Sequence, residues 1–154
     1  MKSNNLKSIR LKLTFFMILL ALSGITAFPL QTELAFLSKH VALFPSFIQH
    51  WLIEVNAAIS NTPSIVLYGT DWLAFAHLVI ALYFIPVIIN PLQYQLNIKM
   101  GMIACIAVFP LAFICGPIRG IPFFHQIIDI SFGFFGFILL LNIYNNINQL
   151  KSKL

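Results

Sequence analysis

Four stretches of this chain, at about residues 13–30, 71–89, 100–115 and 123–144, are long and apolar enough to be read as helices crossing a lipid bilayer. The first, Leu13 to Leu30, is an uncharged run of 18 residues, near the lower limit for spanning about 30 Å of hydrocarbon. Backbone in hydrocarbon has no water to bond its N–H and C=O groups, and a helix satisfies them within one segment. Charge is correspondingly scarce. Only 8% of the 154 residues are charged and 60% are hydrophobic, with a mean hydropathy of +0.93. A soluble domain carries about 25% charged residues, so most of this surface must face lipid or other helices. The expectation is an all-α integral membrane protein, a four-helix bundle forming a single transmembrane domain over residues 1–154.

The segments between the spans refine this picture. Lys2, Lys7, Arg10 and Lys12 precede the first span without an acid among them. A basic start before an apolar run also fits a secretory leader, and Ala21-Leu22-Ser23 would pass as a cleavage site, but the apolar run continues beyond it, which favours an uncleaved helix. Between the first and second spans the texture changes. From Ser46 to Ser60, Phe47, Trp51, Val55 and Ala58 recur at steps of three or four, the period of an amphipathic helix. This predicts an interfacial helix, with Trp51 at the headgroup boundary and His50 and Glu54 on its solvated face.

For the second span, Thr70 is the expected N-cap, and Asp71 in the first turn suits the helix dipole. Pro86 is expected to kink this helix and Asn90-Pro91 to end it. Pro110 predicts a kink in the third span, where Gly101, Ala104 and Ala107 form a small-residue stripe for close packing. Gly116-Pro117-Ile118-Arg119-Gly120-Ile121-Pro122 reads as a tight turn into the fourth. With four spans, Lys2, Lys7, Arg10, Lys12, Lys99, Lys151 and Lys153 share one side and only Lys39 and Arg119 the other. The positive-inside rule then places both termini in the cytoplasm, and all four acids on or near the outer side.

The net charge of +5 does not indicate nucleic-acid binding, because the basic residues sit at the ends of apolar segments and form no patch alternating with aromatics. Cys105 and Cys115, about 15 Å apart along one helix, are too distant to bridge each other and read as apolar filler. His40 reads as a solvated loop residue. Gly-rich phosphate loops and Gly-x-Ser-x-Gly elbows are absent, so hydrolase and nucleotide-binding chemistry has no residues to carry it.

The chemistry-bearing residues are Asp71, His77, Arg119, His125 and Asp129. His125 and Asp129 stand four apart and share a helix side, with Gly133, Gly136 and Leu140 continuing it. On the second span Ala74, His77, Ala81 and Ile88 form a narrow stripe suited to a helix interface. Counted from the same membrane face, His77 and Asp129 lie at similar depth, and ionisable groups at depth are costly unless partnered. One reading is a satisfied polar network, in which Asp129 pairs with Arg119, the histidines bond across helices and Asp71 caps its own helix. In the others, His77 and His125 ligate haem b, or join Asp129 around a transition metal, or Asp129 and a histidine relay protons. A further possibility is a site for a lipid or quinone headgroup with Arg119 at its rim. The expectation is therefore a structural or accessory membrane protein with an outer-leaflet polar cluster. The alternatives are a His-ligated haem, metal or quinone redox protein and a proton-coupled transport component, acting as a homo-oligomer or with a membrane protein partner.

The segments Tyr68-Gly69-Thr70-Asp71-Trp72-Leu73-Ala74-Phe75-Ala76-His77, Gly116 to Pro122 and Ile128-Asp129-Ile130-Ser131-Phe132-Gly133 resemble those of an uncharacterised family of small bacterial multi-span membrane proteins. The resemblance covers about residues 63–140. It implies a bacterial origin and a compact multi-span fold, and no activity or catalytic residue comes with it.

Overall fold

The computed structural model describes residues 2–152. Of the basic residues that set the expected orientation, Lys153 lies outside them, as does the Lys2 side chain. The described residues are helical throughout, with no strand: α1 (Lys2–Ala27), α2 (Leu30–Lys39), a 3-10 turn (Val41–Leu43), α3 (Ser46–Ser60), α4 (Ser64–Leu82), α5 (Ile85–Ile89), α6 (Gln95–Ile118) and α7 (Phe123–Lys151). Asn5–Ala27, Ser64–Ile89, Gln95–Ile118 and Phe123–Lys151 are long and apolar enough to cross a membrane. By length and composition this is a multi-pass membrane protein associated with a lipid bilayer.

Several helix ends differ from the hydropathy boundaries, and each difference has a local cause. α4 begins at Ser64, directly after Pro63, whose carbonyl accepts from the Val66 N–H at 2.9 Å. Thr70 is therefore no N-cap; it lies inside the helix and donates its hydroxyl to the Leu67 carbonyl at 2.6 Å. Asp71 correspondingly sits two turns into α4 rather than in its first turn. Pro86 does more than kink the second span. It lacks an N–H, and its ring would clash with the carbonyl four residues back, which belongs to Leu82, where α4 stops. The chain bridges to α5 through a tighter Phe84 N–H to Ala81 O bond of 3.0 Å, and Asn90 caps the end. α6, by contrast, runs on through both Pro110 and Pro117.

Between the first and second spans, α3 occupies the predicted range, and α2 precedes it as a helix the hydrophobic pattern did not single out. Its signal is electrostatic: Glu33 stands in the first turn and Lys39 in the last, each favourably placed on the helix dipole.

The chain falls into two compact units, Met1–Leu19 with Ala81–Leu154, and Leu20–Ile80. The first is organised by an antiparallel α6–α7 pair. On α7 the buried residues Gly133, Gly136, Leu140, Ile143, Ile147 and Leu150 recur at alternating steps of three and four, the seam of a close helix pair. On α6 the facing residues are Ile98, Cys105, Ala112 and Gly116. Glycines let the backbones meet: a Cβ on Gly133 would lie 2.7 Å from the Cys105 carbonyl oxygen. Gly101 takes part as expected, against Leu140 and Phe84, but Ala104 and Ala107 are exposed; the stripe turns instead through Cys105 and Ala112. α1 adds the buried Ile9, Leu13 and Phe16, with the Phe16 ring 5.0 Å from that of Phe84.

In the second unit α2 and α3 pack on each other, and Leu20–Ala27 of α1 meets α4. A Cβ on Gly24 would lie 2.6 Å from the Ala74 carbonyl oxygen and 2.9 Å from the His77 Cβ. Ala74 is 2% exposed, as the small-residue stripe on this helix predicts.

Candidate functional site

Arg119, His125 and Asp129 belong to the first unit, and the turn that places them is tightly specified. The Ile121 N–H donates to the Gly116 carbonyl at 2.9 Å and the Gly120 N–H to the Pro117 carbonyl at 3.1 Å, with Gly120 at φ +68°. This is a Schellman cap, which satisfies carbonyls at a helix end through a left-handed residue that glycine adopts without strain. Arg119 is the last residue before that glycine and its side chain is exposed. Gln126, the one buried polar residue in the described core at 4% exposure, locks the turn from α7. Its side chain covers Gly116 and its Nε2 donates to the Ile121 carbonyl at 2.7 Å. Gln126→Leu is expected to leave that carbonyl unpaired and lower stability by about 1–3 kcal/mol. Denaturation in detergent would show it, and an unchanged midpoint would mean the amide does not hold the turn.

Arg119 and Asp129 line one cavity of about 270 Å³, with Val108, Ala112, Cys115 and Ile121. Among the described residues no ion pair of 4.0 Å or less joins them. The Asp129 partner is instead His125 on its own helix, at 3.7 Å from Nε2 to Oδ1, with the two side chains 42% and 49% exposed. That distance is too long for a hydrogen bond, and at such exposure the contact holds little energy.

The opposite end of this unit collects cations that face amides, carbonyls and a ring. Arg10 Nη2 donates to the Ile89 carbonyl at 2.7 Å, closing the end of α5. Lys12 reaches Asn142 Oδ1 at 2.6 Å, Lys151 reaches Gln95 Oε1 at 2.9 Å, and Lys99 Nζ lies 5.4 Å from the centre of the Tyr144 ring.

Asp71 and His77 lie in the second unit. His77 Nδ1 is 2.9 Å from the Leu73 carbonyl; a carbonyl only accepts, so Nδ1 carries the proton and Nε2 is left as the acceptor. Because α4 starts at Ser64, His77 stands 13 residues into its helix, about 20 Å at ~1.5 Å per residue. Asp129 stands six residues into α7, about 9 Å along its own helix. Asp71 is half-buried and borders two cavities of about 220 Å³ each. One is walled by Phe28, Tyr68, Trp72 and Phe75, the other by Gln31, Thr32 and Thr70 among others. Sequence reasoning missed Phe28 and Gln126. The i, i+4, i+7 spacing of Tyr68, Trp72 and Phe75 was a legible signal for the aromatic wall.

Smaller features have simple placements. His40 caps α2, with Nδ1 2.9 Å from the Phe36 carbonyl. His50 and Glu54 are exposed on α3, Cys105 is buried and Cys115 exposed. Among the described residues no three of His, Cys, Asp or Glu gather as metal donors. The chain matches no family model, no curated protein and no solved structure.

Proposed function

We propose that this chain is a small structural or accessory protein of the bacterial cytoplasmic membrane, with both termini cytoplasmic and its role exercised through association with a second copy or another membrane protein. The observation that carries this reading is the local use of its polar groups. Gln126 holds its own turn, and His77 bonds within its own helix. A site built for chemistry converges side chains on one reacting centre; these residues serve the elements that carry them. The orientation is supported by Arg10, Lys12, Lys99 and Lys151 gathering at one end of the first unit, with Arg119 at the other. The resemblance carried by residues 68–77, 116–122 and 128–133 supports the bacterial origin.

A second reading, a haem protein with His77 as a ligand, draws support from one detail. The Nδ1–H of His77 bonds a carbonyl and leaves Nε2 available, the arrangement that orients ligating imidazoles. One sample separates the readings. Protein purified from haem-replete cells is expected to show no Soret band, oxidised or dithionite-reduced, and to leave proton flux in liposomes at background. A Soret band lost in His77→Ala and in His125→Ala would install the haem reading, and flux lost in Asp129→Asn a transport role.

A further inference from the structure

We propose that the cavity between Phe28 and the Tyr68–Trp72–Phe75 face of α4 binds an organic ammonium group, with Asp71 as its counter-ion. Three observations converge on it. The first is the acid itself. Asp71 is half-buried, lies seven residues inside a helix apolar enough to cross a membrane, and has no hydrogen bond or ion pair among the described residues. A carboxylate so placed is costly without a cation. The only Lys or Arg of its unit, Lys39, makes no ion pair with it, which leaves the carboxylate open to a cation from outside.

The second is the wall. Tyr68, Trp72 and Phe75 stack edge to face along α4, with ring centres 6.0 and 6.4 Å apart and planes at 83° and 89°. Phe28, just beyond the end of α1, also lines the cavity. Aromatic faces around a carboxylate select a cation that is large and weakly hydrated, because the ring quadrupole attracts charge but offers no oxygen to replace water. A small metal ion would want several oxygens, and the wall of this cavity is almost wholly apolar, with Asp71 at its border. An alkylated ammonium suits both features.

The third is the adjoining space. Asp71 also borders the cavity lined by Gln31, Thr32 and Thr70, whose amide and hydroxyls suit a polar substituent on the same molecule. An ammonium carried by a lipid headgroup and one carried by a free solute share this chemistry.

The test uses the full chain with Trp51→Phe, so that Trp72 reports alone. In phosphatidylglycerol nanodiscs, choline is expected to change Trp72 fluorescence saturably, and its uncharged isostere 3,3-dimethylbutan-1-ol to leave it unchanged. Asp71→Asn should weaken choline binding about tenfold or more, and Phe75→Leu, read the same way, severalfold. Both variants are required to keep the parent helical circular dichroism. In phosphatidylcholine nanodiscs a headgroup already in the cavity would abolish the choline response, and an undiminished response assigns the site to a free solute. Equal responses to choline and its isostere, or unchanged affinity in Asp71→Asn, would overturn the proposal.

Discussion

Replacing Gly133 with leucine is expected to be the most damaging single change in the α6–α7 pair. Inside a membrane two helices gain nothing from leaving lipid for each other by the hydrophobic effect; close van der Waals packing holds them. That packing depends on Gly133, where a Cβ would come within 2.7 Å of the Cys105 carbonyl oxygen and 3.4 Å of the Val108 Cβ. The obstructing atom is helical backbone and cannot rotate away, so even alanine forces the axes apart, and leucine more so. Overpacking of this kind costs about 1–3 kcal/mol and at times more, and the upper end is expected, because separating the axes also loosens Gly136 and Leu140. Gly136→Ala should be milder. Its neighbours are the Cys105 Sγ and the edge of the Phe16 ring, both at 3.1 Å, and side chains can give. Gly69→Ala supplies the control: nothing lies within 4 Å of its added Cβ, and alanine favours a helix interior by about 0.8–1 kcal/mol over glycine. Reversible unfolding in mixed micelles should rank Gly133→Leu below Gly136→Ala, with Gly69→Ala at or above wild type. A Gly133→Leu protein as stable as wild type would mean the helices do not meet there.

What the sequence made legible follows the strength of each physical signal. Apolar runs with at most one charged residue each marked all four spans, because hydrocarbon keeps charge scarce in long segments whatever the tertiary detail. The amphipathic period located α3 to the residue. Helix ends were less legible, because hydropathy reports where a segment stops being greasy and not where its hydrogen bonds stop. α6 and α7 carry Gln95, Asn97, Asn146 and Asn148 within the helix, where their backbone groups continue a ladder past the point at which hydropathy ends the span. Thr70 shows the same limit from the other side. A threonine before an acid reads as a cap, yet Pro63 starts the helix two turns earlier, and the hydroxyl bonds back to Leu67.

Among the candidate site residues, the sequence placed His125 beside Asp129 because i, i+4 spacing is local geometry. A pair of Arg119 with Asp129 was one reading, made from charge alone. The Schellman cap sets the direction in which Arg119 leaves the helix, and the two side chains share a cavity without closing a bond. Gln126 was invisible because an amide in an apolar run carries no periodic signal; its role depends on a carbonyl freed five residues earlier by the turn.

A leucine at Gly24 is expected to have the second large effect, this time in the unit formed by Leu20–Ile80. The added Cβ would sit 2.6 Å from the Ala74 carbonyl oxygen and 2.9 Å from the His77 Cβ, with Leu78 Cδ2 at 3.5 Å. Two of these three atoms are fixed by the α4 backbone, so the helices must part. Loss of about 2–3 kcal/mol is expected from overpacking, with Ala74 newly exposed. Ala74→Cys reports that exposure directly: its thiol should resist maleimide in the parent chain and react within minutes once Gly24→Leu is added. Slow labelling in both would show that leucine is accommodated and that α1 and α4 do not approach at Gly24. The experiment also bears on the N-terminus, because Gly24 follows Ala21-Leu22-Ser23. Removal of residues 1–23 would take Ile9, Leu13 and Phe16 out of the first unit's core and make Gly24 a frayed end, where leucine costs little. A large effect of Gly24→Leu is therefore what an uncleaved first span, as the sequence leads one to expect, predicts.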